Sequence, residues 1–495
     1  MSSGVSATPA GGVASRSMIF IAACLAFFMV SVEGTIVATA IPTIVGDLGG
    51  LRLFSWVFGI YFLTQAVTIP IYGRLADIYG RKPLMIVGVA LFLIGSILSG
   101  FAHSMVMLIV YRGLQGLGAG GVMPLALTIV GDLYSGKERA TVQGYLSSVW
   151  GISAIGGPLL GAFLIDHAGW PTIFWLNVPF GILCIAVIVQ YFHETVERRA
   201  QSIDYAGSFL LASGAGSLMF VLVMLGNLPA ALAIGLSITA VLLIAALIVH
   251  ELRTEHPMMP LRLFHIRVIG VANAGNFAIG AQSIGLTAFL PTYVQGAMGL
   301  SAVMAGTCLG LTSLSWTVGS LIASRLLSRM SFRATALTGS ALLIIGSAIL
   351  ITLEPDRGIW WAFSGATLIG LGFGYVNLVF TITTQSAVGW DQRGAVTASN
   401  QFMRMLGSAI GTAALGAVFN LGLYARLSNA GDVITRMMDP VKRSGLTPVD
   451  VQRYAVAMAA SLHGIFLIIG VLGIIVVLLA LKLPAKLMAH DPSLT

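Results

Sequence analysis

Apolar runs of about twenty residues, broken by short polar stretches, recur from Met18 almost to the end of the chain. A helix that crosses the bilayer core needs roughly 20 mostly apolar residues. Runs and breakers predict fourteen such spans, near 18–45, 54–72, 84–101, 105–131, 141–165, 171–191, 204–225, 230–250, 268–295, 302–324, 334–353, 359–385, 394–422 and 457–481. The first run also has the look of a secretory leader, because Ala38-Thr-Ala40 resembles a small-residue cleavage site. With many later spans to target the chain, it needs no cleavage.

The polar breaks sort by charge. With the N-terminus in the cytoplasm, 17 Lys and Arg residues fall in cytoplasmic segments and 7 outside, five of the 7 in one long outer loop, 423–456. Positive charge collects on the cytoplasmic side of membrane proteins, so both termini are expected there. The expected layout is a disordered cytoplasmic tail (1–17), an N-terminal six-helix bundle (18–200), an inserted helix pair (201–256), a C-terminal six-helix bundle (257–483) and a cytoplasmic tail (484–495). Without the inserted pair, six spans face six with orientation kept. The connection at 73–82 has an echo at the matching point of the second half, 324–333. Duplicated halves of this kind are a transporter signature.

Composition removes the soluble alternative. The chain is 57% hydrophobic and only 9% charged, against roughly 25% charged in soluble domains. A net charge of +8 would point to nucleic acid in a soluble protein; here the bases punctuate spans, and no nucleic-acid partner is expected. Cys24, Cys184 and Cys308 each lie in an apolar run and read as packing residues, with no disulfide or metal framework. Two nucleotide motifs are rejected. Gly131 to Glu138 matches a P-loop until Glu138 replaces the hydroxyl residue that would hold magnesium, and Gly116, Gly118 and Gly121 lie inside a span, where small residues let helices approach. Uphill transport would therefore draw on an ion gradient, with no cofactor. No nucleophile, base and orienting partner can be assembled, so the chain is not expected to be an enzyme.

A few polar residues remain inside the spans. Glu33 lies fifteen residues past Met18, about 22 Å into a helix that rises 1.5 Å per residue. A charge there costs roughly 2.5–3.5 kcal/mol on insertion scales. A carboxyl so placed can take a proton from one side and give it to the other; the plainer alternative is a neutral carboxyl hydrogen-bonded to a neighbouring helix. Arg112, with Gln115 one turn on, either snorkels to the outer interface or supplies a fixed positive charge that tunes a carboxyl or gates water. The same choice applies to Arg404. Gly151, Gly156, Gly157, Pro158 and Gly161 predict a kinked, closely packed fifth span. The connection at Gly73, Arg74, Asp77, Gly80, Arg81 and Lys82 carries more than anchoring bases, since Asp77 could sit against a helix N-terminus and latch one arrangement of the two halves. His463 reads as a packing histidine, and Gln115, Trp316, Asn377 and Arg404 as possible cavity residues.

At these positions the chain resembles the major facilitator superfamily, and within it the fourteen-span branch of drug:proton antiporters, over nearly its whole length. Gly73 to Lys82 resembles the superfamily's cytoplasmic signature loop, whose Asp and basic residues control the conformational switch. Arg112 to Gly121 is similar to the fourth-span motif, whose Arg is associated with proton transfer. Gly151 to Gly161 is similar to the fifth-span motif of exporters, and Trp170 to Pro179 to the opening of the sixth span. The first span resembles the branch's motif of an acid followed by Thr, Ile and Val, but carries Glu33 where Asp is usual; Ser328 stands in the second-half echo where the first has Asp77. The resemblance implies two six-helix bundles of the major facilitator type plus a central extra pair. It also implies a multi-pass protein of the cell's inner (plasma) membrane that works as a monomer, exporting lipophilic or cationic drugs and toxic compounds by proton antiport and alternating access. Rival readings are a transporter of a specific metabolite or lipid, and a receptor or scaffold that transports nothing.

Overall fold

The computed structural model describes residues 13–134, 136–194, 204–225, 228–254, 257, 261–389, 392–427, 433, 436–437 and 440–484. Most of both expected tails, and much of the connector after residue 194, lie outside these residues. The elements are helical: α1 (Val13–Leu48), α2 (Phe54–Tyr79), α3 (Arg81–Gly100), α4 (Met105–Leu133), α5 (Gly136–Ala168), α6 (Pro171–Trp175), α7 (Asn177–Tyr191), α8 (Tyr205–Val223), α9 (Ala230–Arg253), α10 (Arg267–Thr292), α11 (Ala302–Leu326), α12 (Phe332–Ile351), α13 (Ile359–Ser386), α14 (Arg393–Tyr424), α15 (Pro440–Ser444) and α16 (Pro448–Leu481). Among the described residues, fourteen stretches are long and apolar enough to cross a membrane, with α6 and α7 together forming the sixth.

Local chemistry starts these helices where they start. Ser104, Ser301 and Ser331 each cap a helix by accepting from the backbone N–H three residues on, and Asp204 does the same for α8 at 2.7 Å. Such caps satisfy amides that have no partner within the first turn. Helix ends depart from the apolar runs in several places, with α1 starting at Val13 inside the expected disordered tail and α5 at Gly136. α2 continues to Tyr79, and α16 begins at Pro448, inside the segment read as an outer loop. Backbone bonding does not stop where side chains turn polar. At α16, Thr447 accepts from the Asp450 N–H at 3.2 Å and Pro448 occupies the first helical position, a start signal that hydropathy ignores.

Helices α1 to α7 pack as one bundle and α10 to α14 with α16 as a second. α8 lies against both α2 and α14, so the first helix of the inserted pair bridges the two bundles. α9 packs on α8 and turns Ile234, Val241 and Leu242 outward. The bundles meet along α5–α11 and α2–α14 and are tied at one end. There the Lys442 ammonium donates to the Gly46 carbonyl at 3.0 Å, and Asn420 donates to the Arg52 carbonyl at 3.2 Å. Arg52 lies over the Tyr424 ring at 4.0 Å, and Phe54 meets Phe289 and Phe419 edge to face. This seal is aromatic and largely dry.

Candidate translocation site

Glu33 on α1 and Arg112 on α4 form an ion pair inside the first bundle, both buried (0% and 1% exposed). The Arg112 reading as an outward-snorkelling residue is thereby replaced: its charge is neutralised within the protein. The same guanidinium donates to the Gln115 side-chain oxygen and, through Nε, to the Val57 carbonyl of α2 at 3.2 Å. Asn177, the first residue of α7, donates to the second Glu33 oxygen at 2.6 Å and to Ser96 at 3.1 Å. Ser96 in turn accepts from Gln115 at 3.1 Å and donates to the Phe174 carbonyl at 2.7 Å. Both carboxylate oxygens therefore have partners. That arrangement is what lets a buried pair offset the loss of water from two charges.

Asn177 gains its position from the break between α6 and α7. It stands in the sequence motif at the sixth-span opening, but neither it nor Ser96 was assigned a role by the sequence. A serine in an apolar helix is too ordinary to signal anything, and Asn177 becomes informative only beside Glu33.

A cavity lies between the bundles on the far side of the seal, toward the end that carries Gly73 to Lys82. It spans about 970 Å³, counting the space continuous with its mouth. α1, α2, α4, α10, α11 and α14 line it. Trp316, whose ring lies tilted against Phe373 at 5.0 Å between centroids, and Arg404 are among the lining residues. Gln115 is not, because it is consumed by the buried network; Asn377 is not either, lying on α13 behind α11. Nor does Glu33 line the cavity, although its neighbours Gly34 and Thr35 do. Tyr61 stands between. It lines the cavity and holds the Arg112 guanidinium over its ring at 4.2 Å, while its buried hydroxyl has no hydrogen-bond partner among the described residues.

The 73–82 connection is not a loop. Gly73, Arg74 and Asp77 are in the last turns of α2, and α3 starts at Arg81 with Lys82. Gly80 alone makes the hinge, at φ +91°, where a side chain would be strained. The side chain of Asp77, expected against a helix N-terminus, lies outside the described residues; the α3 N-terminus is capped by Glu194, which accepts from the Arg81 and Lys82 N–H groups at 2.6 and 3.1 Å. It reaches there from the segment after α7. The echo in the second half differs: Ser328 lies in an exposed turn and bonds only locally, to the Arg325 carbonyl at 2.7 Å.

α5 stays helical through Pro158 and serves two neighbours. Gly157 and Gly161 face α1, where a Cβ would meet Thr35 and Ile36. A Cβ on Gly306 of α11 would lie 2.8 Å from the Pro158 carbonyl, so the bundles touch here backbone to backbone. Gly151 lies beside Thr317 of α11 at the edge of this contact, whereas Gly156 faces open space. The glycines of α4 that fit a dinucleotide spacing are likewise close-packing positions: a Cβ on Gly118 would strike Phe92 and Gly88 of α3, and one on Gly116 would strike Tyr61 and Thr64 of α2.

The model of the Major Facilitator Superfamily matches residues 19–412. The multidrug transporter protein MdtP of Bacillus subtilis (strain 168) is 33% identical over 433 residues, covering 87% of this chain and 79% of that protein. Multidrug resistance protein 3 of the same organism is 33% identical over 408 residues, covering 82% and 80%. Among solved structures, a bacterial homologue of the human lysosomal transporter Spinster, inward-facing and unoccupied, has a TM-score of 0.67 at 15% identity, with 95% and 98% of the two chains covered. The nucleoside transporter NupG (D323A mutant) has a TM-score of 0.62 at 12% identity, with 94% and 99% covered. With fourteen helices able to cross a membrane and transporters on every side of the comparison, the chain is a multi-pass membrane transporter and not an enzyme, and it belongs to the Major Facilitator Superfamily.

Proposed function

We propose that this transporter exports amphiphilic small molecules from the cell by proton antiport, with Glu33 carrying the coupled proton. The observation behind this reading is the Glu33–Arg112 pair, buried in one bundle and separated from the central cavity by Tyr61. A proton arriving on Glu33 cancels the carboxylate and removes the counter-charge of Arg112. A buried charge left without its partner costs about 3–5 kcal/mol, so the two protonation states cannot favour the same packing equally. Differences of that size are enough to move a two-state equilibrium from one side to the other.

The charge bias of the connections supports a cytoplasmic position for the Gly73–Lys82 end, which makes the sealed end external and the cavity accessible from inside. Substrate then enters from the cytoplasm or inner leaflet of the plasma membrane while Glu33 is ionised. Rocking of the bundles about the α5–α11 and α2–α14 contacts opens the other end. A single chain encloses the cavity, which suits a monomeric unit. The names of the multidrug relatives support small amphiphiles as cargo.

Reconstituted vesicles test the proposal with three fluorescent probes: anionic anilinonaphthalene sulfonate, neutral N-phenylnaphthylamine and cationic ethidium. At least one is moved uphill by an imposed proton gradient. Glu33→Gln protein should carry that probe downhill but ignore the gradient; gradient-driven transport by Glu33→Gln would refute the role.

A further inference from the structure

The charge that a substrate meets in the cavity is positive. Glu33 is spent on Arg112 and Asn177 and does not line the cavity. Among the described residues that line it there is no carboxylate, and the charged side chain there is Arg404. Its described side-chain partner is Gln401, one turn back on the same helix, whose single oxygen accepts from Nε at 3.0 Å and Nη2 at 2.7 Å. A guanidinium has five N–H donors, so this contact leaves three of them for something else. Around it the wall sets apolar and aromatic side chains, Phe62, Met123, Ile284, Leu309 and Trp316, among neutral polar ones such as Gln65 and Thr287.

The position of Arg404 is also fixed. The Arg404 carbonyl crowds Gly280 of α10, where a Cβ could not fit, and Ser408 one turn on donates to the Gly280 carbonyl at 3.1 Å. The α10–α14 backbone contact thus holds the guanidinium's stem at one depth. A fork of donors at the wall of a chamber otherwise lined by neutral side chains matches a carboxylate or sulfonate bidentately. It also repels a permanent cation, most strongly where the walls are poor in water.

We infer that the central cavity selects amphiphiles carrying an anionic head group, carboxylate or sulfonate on an aromatic or aliphatic body, with Arg404 as the residue that binds the head. This refines the proposed transport reading and sets an anionic head group against the lipophilic or cationic cargo that the family resemblance implies. It does not depend on Glu33 carrying protons.

The test is a binding measurement without any gradient. 9-Anthracenecarboxylate and 9-(aminomethyl)anthracene share one ring system and carry opposite charges. Each is titrated by equilibrium dialysis against the full chain in neutral-lipid nanodiscs, with empty nanodiscs subtracted. The carboxylate should bind at least tenfold more tightly than the amine. Arg404→Gln should erase that preference while binding of the amine persists, which shows the cavity intact; Arg404→Lys should keep part of the preference, as a point charge without the fork. Equal or tighter binding of the amine to the unaltered protein would overturn the inference, as would a preference unchanged in Arg404→Gln. Proton flux in vesicles is read separately, so failure of proton coupling leaves this result standing.

Discussion

Tyr61 holds the Arg112 guanidinium 4.2 Å above its ring while lining the central cavity, so one side chain is wall to the cavity and lid to the ion pair. Cation–π contacts of this kind contribute about 0.5–2 kcal/mol, more where water is excluded. Tyr61→Phe keeps the ring, and its hydroxyl has no partner to lose. Transport by Tyr61→Phe is therefore expected near the unaltered level. Tyr61→Ala opens the pair to the cavity, and the expected outcome is proton leak without substrate, read as faster collapse of a pH gradient across protein-loaded vesicles. A tight Tyr61→Ala would contradict the lid.

The ion pair predicts a specific pattern of stability. Arg112→Gln leaves the Glu33 carboxylate buried beside neutral groups and should cost about 3–5 kcal/mol. Adding Glu33→Gln removes the stranded charge, so the double variant should melt higher than Arg112→Gln alone. Thermal unfolding in detergent of the unaltered protein, both single variants and the double variant checks this order. Additive losses would mean that the two side chains do not interact.

Gly157 predicts a steric effect. A Cβ there meets Thr35 of α1, four residues before a second contact at Gly161. Gly157→Val should cost about 1–3 kcal/mol through overpacking and should slow transport for every substrate alike. Gly156→Ala, with open space at that position, should have little effect on melting or rate.

Glu194 caps α3 from a distant part of the chain. Glu194→Ala should lower stability by about 1 kcal/mol, the usual worth of a helix cap. Glu194→Gln keeps one acceptor oxygen and should lose less. A melting curve for each variant decides, and no change in Glu194→Ala would remove the cap from the account.

The number of spans was legible because hydropathy is a local property: each of the fourteen runs states its own case. The family was legible from short motifs for the same reason. What Glu33 does with its charge was not, because Arg112 is 79 positions away and Asn177 144 positions away, and nothing local ties them together. The sequence therefore shows one acid in the membrane without the groups that meet it. Packing supplies them, burying the acid with Arg112 and leaving Arg404 in the cavity. The signature connection failed in a smaller way. Its glycines and charges suggest a loop, yet only Gly80 leaves the helix, and a cap on the following N-terminus comes from Glu194, far along the chain. The breaks in polarity marked the membrane edge, where the backbone had no reason to unwind.

The account stands on Glu33 exchanging a proton within its buried network. Infrared difference spectra of the protein in nanodiscs, recorded as pH is lowered, read the protonated-carboxyl stretch directly and need no substrate. The unaltered protein should gain a band from a carboxyl shielded from water, and Glu33→Gln should lack that band with all others retained. Identical spectra from the two proteins would show that Glu33 does not titrate and that the coupled proton, if there is one, rides elsewhere.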